Sequence, residues 1–222
     1  MTCGEAMERL RALGDEKIRV QNEKRGAGTG GFGVMMGDLR TLAKEIKADP
    51  GLARELWATG NPDARQLAIL LMKPKETSLA ELEAMERDIS YSWLADWLNS
   101  YVLKLHPQRE SVREAWMASD HPMVRRAGWS LTADRVGKEV TGLDLSALLD
   151  RIESEMPDAP EAAQWTMNMT LAYVGIHHPE LRHRALEMGE RLGVYRDYPV
   201  SKGCTSPFAP IWINAMVDRA KG

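Results

Sequence analysis

Three short segments of this chain carry side chains able to do chemistry. In Ile89-Ser-Tyr-Ser-Trp93-Leu-Ala-Asp96-Trp97-Leu-Asn-Ser100 a carboxylate stands between two indoles. At helical spacing Leu94, Leu98, Tyr101 and Leu105 form a core stripe, and Trp93, Asp96, Trp97 and Ser100 fall together on a neighbouring face. Both kinds of group attract cations, the acid by its charge and the rings by their quadrupole. The plainer alternative is a solvated aspartate beside half-packed tryptophans. In His121-Pro-Met-Val-Arg125-Arg126-Ala-Gly-Trp129, Met123, Val124, Ala127 and Leu131 make the core side, which leaves Arg125, Arg126 and Trp129 pointing away. A guanidinium so placed forks two bonds onto a phosphate; solvated arginines are the alternative. In Gln164-Trp165-Thr-Met-Asn168, Trp165 and Asn168 share a face, with core packing the alternative for the indole.

A fourth segment, Arg25-Gly-Ala-Gly-Thr-Gly-Gly-Phe-Gly33, contains the pattern G-x-G-x-x-G. A dinucleotide site needs a buried strand running into the first glycine and a helix opening at the last. The preceding Lys17-Ile-Arg-Val-Gln-Asn-Glu-Lys24 is charged at almost every second position, and no Gly-Lys-Ser/Thr follows. The stretch is therefore read as a turn between helices, where glycine relieves backbone strain. His177, His178, His183 and Cys204 lack metal-ligand spacing, so no metal and no cofactor are expected.

The elements that must position these residues are helical almost throughout. Asp49-Pro50 and Asn61-Pro62 each place a capping residue before a proline suited to a first helical turn. Ser78-Leu-Ala-Glu81 is a capping box, and His106-Pro107, His121-Pro122 and His178-Pro179 mark further starts. The pattern predicts helices near 36–48, 50–59, 62–73, 78–87, 89–105, 108–118, 122–137, 144–156, 160–175, 179–193 and 208–220, with one more before the glycine stretch. Three junctions share a scheme of aromatic residue, short turn, proline, and arginine three residues on: Trp57 to Arg65, Trp116 to Arg125, and Tyr173 to Arg182. Repeated helix–turn–helix units point to an all-α fold, an α-solenoid of HEAT-like repeats with a concave binding face.

With 222 residues the chain is long enough for a substantial core. No run of about 18 apolar residues and no signal-type segment is present, so a cytoplasmic, intracellular protein with no membrane partner is expected. Two cysteines offer no disulfide framework. Against 29 Lys and Arg stand 32 Asp and Glu, so nucleic-acid binding requires charge gathered locally rather than in bulk. There are seven Trp and two Phe; because the indole N–H is costly to bury, several tryptophans are expected along a surface or groove.

Taken together, Phe32-Gly-Val34, Leu39-Arg40-Thr-Leu-Ala-Lys-Glu-Ile46, Leu56-Trp57, Ala64-Arg65-Gln-Leu-Ala68, Ile89 to Asp96, Arg125-Arg126-Ala127 and the Trp165 helix resemble the AlkD-like family of DNA alkylation-repair glycosylases. The tail from Tyr198 to Ile213 is similar to tails in one branch of that family. The resemblance implies a single HEAT-like domain over 1–222, with an N-terminal helix and glycine-rich lead-in over 1–31, repeats over 32–194, and a tail and helix over 195–222. It implies Asp96 as catalytic carboxylate, Arg126 as phosphate anchor with Arg125 beside it, and Trp93, Trp97, Trp165 and Asn168 along the DNA. The family pattern puts a tryptophan four residues before the aspartate; here that position is Ser92, and the indole comes one residue later. Asn168 stands where many members carry a basic residue. The implied activity is excision of cationic N3- or N7-alkylated purines from double-stranded DNA by a monomer, without an enclosing base pocket. A DNA-structure binder without chemistry and a protein-interaction solenoid are the alternatives.

Overall fold

The structure, a computed structural model, describes residues 1–221. Those residues form thirteen α-helices, and the only β-type pairing among them is an isolated bridge between Gly14 and Val34. The chain divides into two compact units, Met1–Glu110 and Ser111–Gly222.

The first unit holds α1 (Cys3–Ala12), α2 (Glu16–Lys24), α3 (Met36–Ile46), α4 (Pro50–Ala58), α5 (Pro62–Leu71), α6 (Leu79–Asp88) and α7 (Ser92–Tyr101). Leu10, Leu39, Leu42, Leu56, Leu67 and Leu71 are buried together as its core. Two helices precede the glycine stretch where one was expected. The break is made by Gly14, where a side-chain carbon would lie 2.6 Å from the Phe32 carbonyl oxygen, and by Asp15, whose Oδ1 accepts the N–H of Lys17 at 2.8 Å and restarts the helix. The two proline starts follow the sequence. Asp49 accepts the N–H of Leu52 and Asn61 that of Ala64, each at 3.0 Å. Of the expected capping box, Ser78 accepts the N–H of Glu81 at 3.1 Å, while the Glu81 carboxylate takes two bonds from Arg54. The helix expected over 89–105 is shorter. Ile89 and Tyr91 are extended, Val102 leaves the helical region at φ −124°, and Leu103–Leu105 form a 3-10 turn.

The second unit holds α8 (Glu110–Met117), which begins on the boundary residue, then α9 (Pro122–Val136), α10 (Leu145–Glu155), α11 (Glu161–His177), α12 (Arg182–Leu192) and α13 (Ala209–Arg219). Its centre is the pair α9 and α11. Thr166 and Thr170 of α11 donate their hydroxyls to the carbonyls of Arg126 and Trp129 on α9, at 3.0 and 3.3 Å. On another side of α9, Gly128 meets α8 so closely that an added carbon would lie 2.3 Å from the Met117 nitrogen. With neighbours on both sides, α9 has little free face. Its segment Ala127-Gly-Trp-Ser-Leu-Thr-Ala133 is accordingly uncharged and wholly buried.

The three proline junctions do not use their arginines alike. Arg65 donates to the Trp57 carbonyl at 3.3 Å, and Arg182 to those of Gly175 and Ile176 at 2.7 and 3.1 Å. Both serve the carbonyls that a helix C-terminus leaves unsatisfied. Arg125, in the same place in the scheme, instead pairs with Glu155 of α10 at 2.7 Å.

Candidate nucleic-acid interface

In the first unit α7 carries the candidate carboxylate. Leu94, Ala95 and Leu98 are buried, and Asp96 and Ser100 are exposed. Trp93 is half-buried on the same side, so Trp93, Asp96 and Ser100 line one face as their spacing predicts. Trp97 does not join them: it is 5% exposed and packs against Tyr101 with ring centres 5.0 Å apart. The guanidinium of Arg40 stands 5.6 Å from its ring centre. Its neighbour on the open side, Trp93, is covered differently, by the Arg25 guanidinium at 4.9 Å.

Arg25 comes from the glycine stretch, and Asp63 of α5 anchors that stretch. Its carboxylate, 2% exposed, accepts the N–H groups of Phe32, Gly33 and Val34 at 2.5, 3.1 and 3.0 Å. At Gly33, with φ +81°, an added carbon would strike the Asp15 oxygen at 2.2 Å. The backbone N–H groups that follow the glycine pattern are thus committed to a carboxylate of the same chain. The loop functions as a clasp.

In the second unit the structure corrects the orientation expected on α9. Arg126 is 2% exposed and Trp129 is fully buried, because α8 and α11 cover the faces that an isolated helix would give to solvent. Arg126 donates to the Ala162 carbonyl at 2.8 Å, at the start of α11. Arg125 is half-buried. Glu155 accepts from both Arg125 and Arg151, the latter at 2.6 Å, and Arg151 lies over the Trp129 ring.

Trp165 and Asn168 of α11 part company. Asn168 is 2% exposed and its amide donates to the Pro207 carbonyl at 2.8 Å, fastening the tail to the helix. Trp165 is half-buried and belongs to a three-ring cluster that the sequence reading missed. Its ring centre is 5.3 Å from that of Tyr195 and 5.7 Å from that of Tyr198, and the two tyrosines stand edge-on 5.6 Å apart. Burial, then the charge of Glu161, pushes the Tyr195 hydroxyl up to about 12, against the opposing pull of Arg126. The available signal was the pair Tyr195 and Tyr198 in a chain of only five tyrosines.

The sequence profile described as DNA alkylation repair enzyme matches residues 6–206. The chain belongs to the DNA alkylation repair enzyme family. A solved structure described as "a new family of proteins related to the HEAT-like repeat DNA glycosylases with affinity for branched DNA structures" superposes with a TM-score of 0.83 at 28% identity. The match covers 99% of this chain and 95% of that one. Comparison with the curated proteins finds no match. The all-helical, HEAT-like repeat fold expected from the junctions is therefore the fold of this DNA alkylation repair protein. Among its described residues no helix is long and apolar enough to cross a membrane. Among the same residues, no three His, Cys, Asp or Glu side chains gather as metal ligands.

Proposed function

We propose that this member of the DNA alkylation repair family excises cationic N3- or N7-alkylated purines from double-stranded DNA, with Asp96 as the catalytic group. The observation that carries the reading is an exposed carboxylate on α7, on the same face as the Trp93 indole. Alkylation makes the purine a cation and a good leaving group. Breaking its glycosidic bond builds positive charge on the deoxyribose, as in other oxocarbenium-like transition states. A fixed carboxylate stabilises that charge and can orient the attacking water. In the second unit, half-buried Arg125 meets a backbone phosphate, buried Arg126 adds its charge behind it, and half-buried Trp165 packs against the strand. Trp97 and Asn168 act by holding α7 and the tail in place.

The test is base release from duplex DNA containing N7-methylguanine and N3-methyladenine. Asp96→Asn is expected to slow release by about a hundredfold or more, with DNA affinity retained. Equal release by both proteins would remove Asp96 from the chemistry.

A second reading, binding of DNA structure without excision, has specific support. Trp93 stands one position off the family spacing, and the Arg25 guanidinium already faces its ring. The solved relative is described by its affinity for branched DNA. Retained DNA binding with no release by the wild-type protein would favour it.

A further inference from the structure

We propose that Trp165, Tyr195 and Tyr198 form a stacking site for a nucleobase that has left the double helix, at a bulge or branch of DNA. The proposal rests on the DNA-binding part of the function above and assigns it a substrate feature. Three rings from two separate segments, α11 and the tail, meet with centres 5.3 to 5.7 Å apart. One of them, Tyr198, is 45% exposed.

Two further observations mark the cluster as more than packing. Tyr195 holds a left-handed backbone at φ +62°, a conformation that a bulky side chain adopts at a cost. Its hydroxyl is also buried without a hydrogen-bond partner, which leaves a polar group unsatisfied in the unbound protein. A sequence selected for stability alone would place glycine or asparagine at that φ, and phenylalanine would remove the stranded hydroxyl.

The chemistry selects the ligand. Aromatic side chains stack on bases of any sequence, because every base presents a π-face. A base inside a duplex has both faces covered, so only an unpaired one can use the site. In the proposed complex the exposed Tyr198 ring shifts to hold the base between itself and Trp165, which uncovers the buried Tyr195 hydroxyl for an acceptor of the nucleotide.

The experiment measures affinity for three DNAs that differ at one place: a fully paired duplex, the same duplex with one extra unpaired nucleotide, and the same bulge lacking its base. Wild-type protein is expected to bind the base-bearing bulge more tightly than the abasic one, by between about fivefold and a hundredfold. Tyr198→Ala, a change at an exposed position, is expected to erase that preference and leave affinity for the paired duplex unchanged. Tyr198→Phe, which keeps the ring, is expected to retain it. Equal binding of the two bulges by the wild type overturns the stacking site while leaving duplex binding intact. A preference that survives Tyr198→Ala also overturns it. Failure to bind any of the three DNAs would overturn the proposed function itself, and this inference with it.

Discussion

Single side chains in this protein do structural work that their types alone do not announce. Asp63 is the clearest. One carboxylate satisfies three consecutive backbone donors, and through them it sets the glycine stretch that carries Arg25 to the face of Trp93. Asp63→Ala strands three N–H groups at a buried position. Each stranded donor costs about 1–3 kcal/mol, so a loss of roughly 3 kcal/mol or more is expected in urea unfolding. Asp63→Asn retains an acceptor and should lose less. An unchanged midpoint for the alanine variant would refute the clasp. The sequence carries fair notice of the exposure of Asp96, because a helical period separates it from Leu94 and Leu98 without further information. It gave no notice of the burial of Arg126 and Trp129, which depends on helices elsewhere in the chain. Threonines 40 and 41 residues downstream bond to the same stretch of α9. Local periodicity cannot see a partner at that distance.

Among the elements, α9 carries the greatest constraint. Gly128 lets α8 lie against its backbone, and Gly128→Ala would force a carbon to 2.3 Å from the Met117 nitrogen and 2.6 Å from the Trp116 carbonyl carbon. The nearest atoms are all backbone of α8, so there is no flexible side-chain end to displace. Although alanine is the better helix former by about 1 kcal/mol, the variant is expected to be destabilised by about 2 kcal/mol or more, as for other overpacked cores. Thermal unfolding checks the sign, and a raised midpoint would mean that α8 is free to retreat. Helix starts at Asp49, Asn61 and Ser78 were legible because a cap is a local hydrogen bond. The end of α7 was not, since the apolar pattern of Val102-Leu-Lys-Leu105 runs on through a backbone that has already turned. The proline junctions were legible as repeats, yet the divergence of Arg125 from Arg65 and Arg182 lay in a partner, Glu155, that arrives 30 residues later.

For the whole molecule, charge sets the manner of binding. Residues 1–110 carry 16 Lys and Arg against 17 Asp and Glu, and residues 111–222 carry 13 against 15. Neither unit is a basic body that condenses on DNA, so the proposed binding would rest on a few arginines. Each phosphate contact contributes about −0.9 to the slope of log affinity against log salt. A slope of about −1 to −4 is therefore expected with duplex DNA, reduced by about one in Arg125→Ala. A slope near −8 would mean a broad electrostatic surface and would refute this account.

The seven tryptophans divide by depth, and the division makes the protein its own optical instrument. Trp97, Trp116 and Trp129 are buried, whereas Trp57, Trp93, Trp165 and Trp212 are half-buried. Indoles of the second kind emit at longer wavelength and yield first to a collisional quencher. Two of them occupy telling positions: Trp93 on the Asp96 face of the first unit and Trp165 in the tyrosine cluster of the second. With Trp57 and Trp212 changed to phenylalanine, each unit would retain one accessible emitter. DNA arriving at either could then be watched without any label.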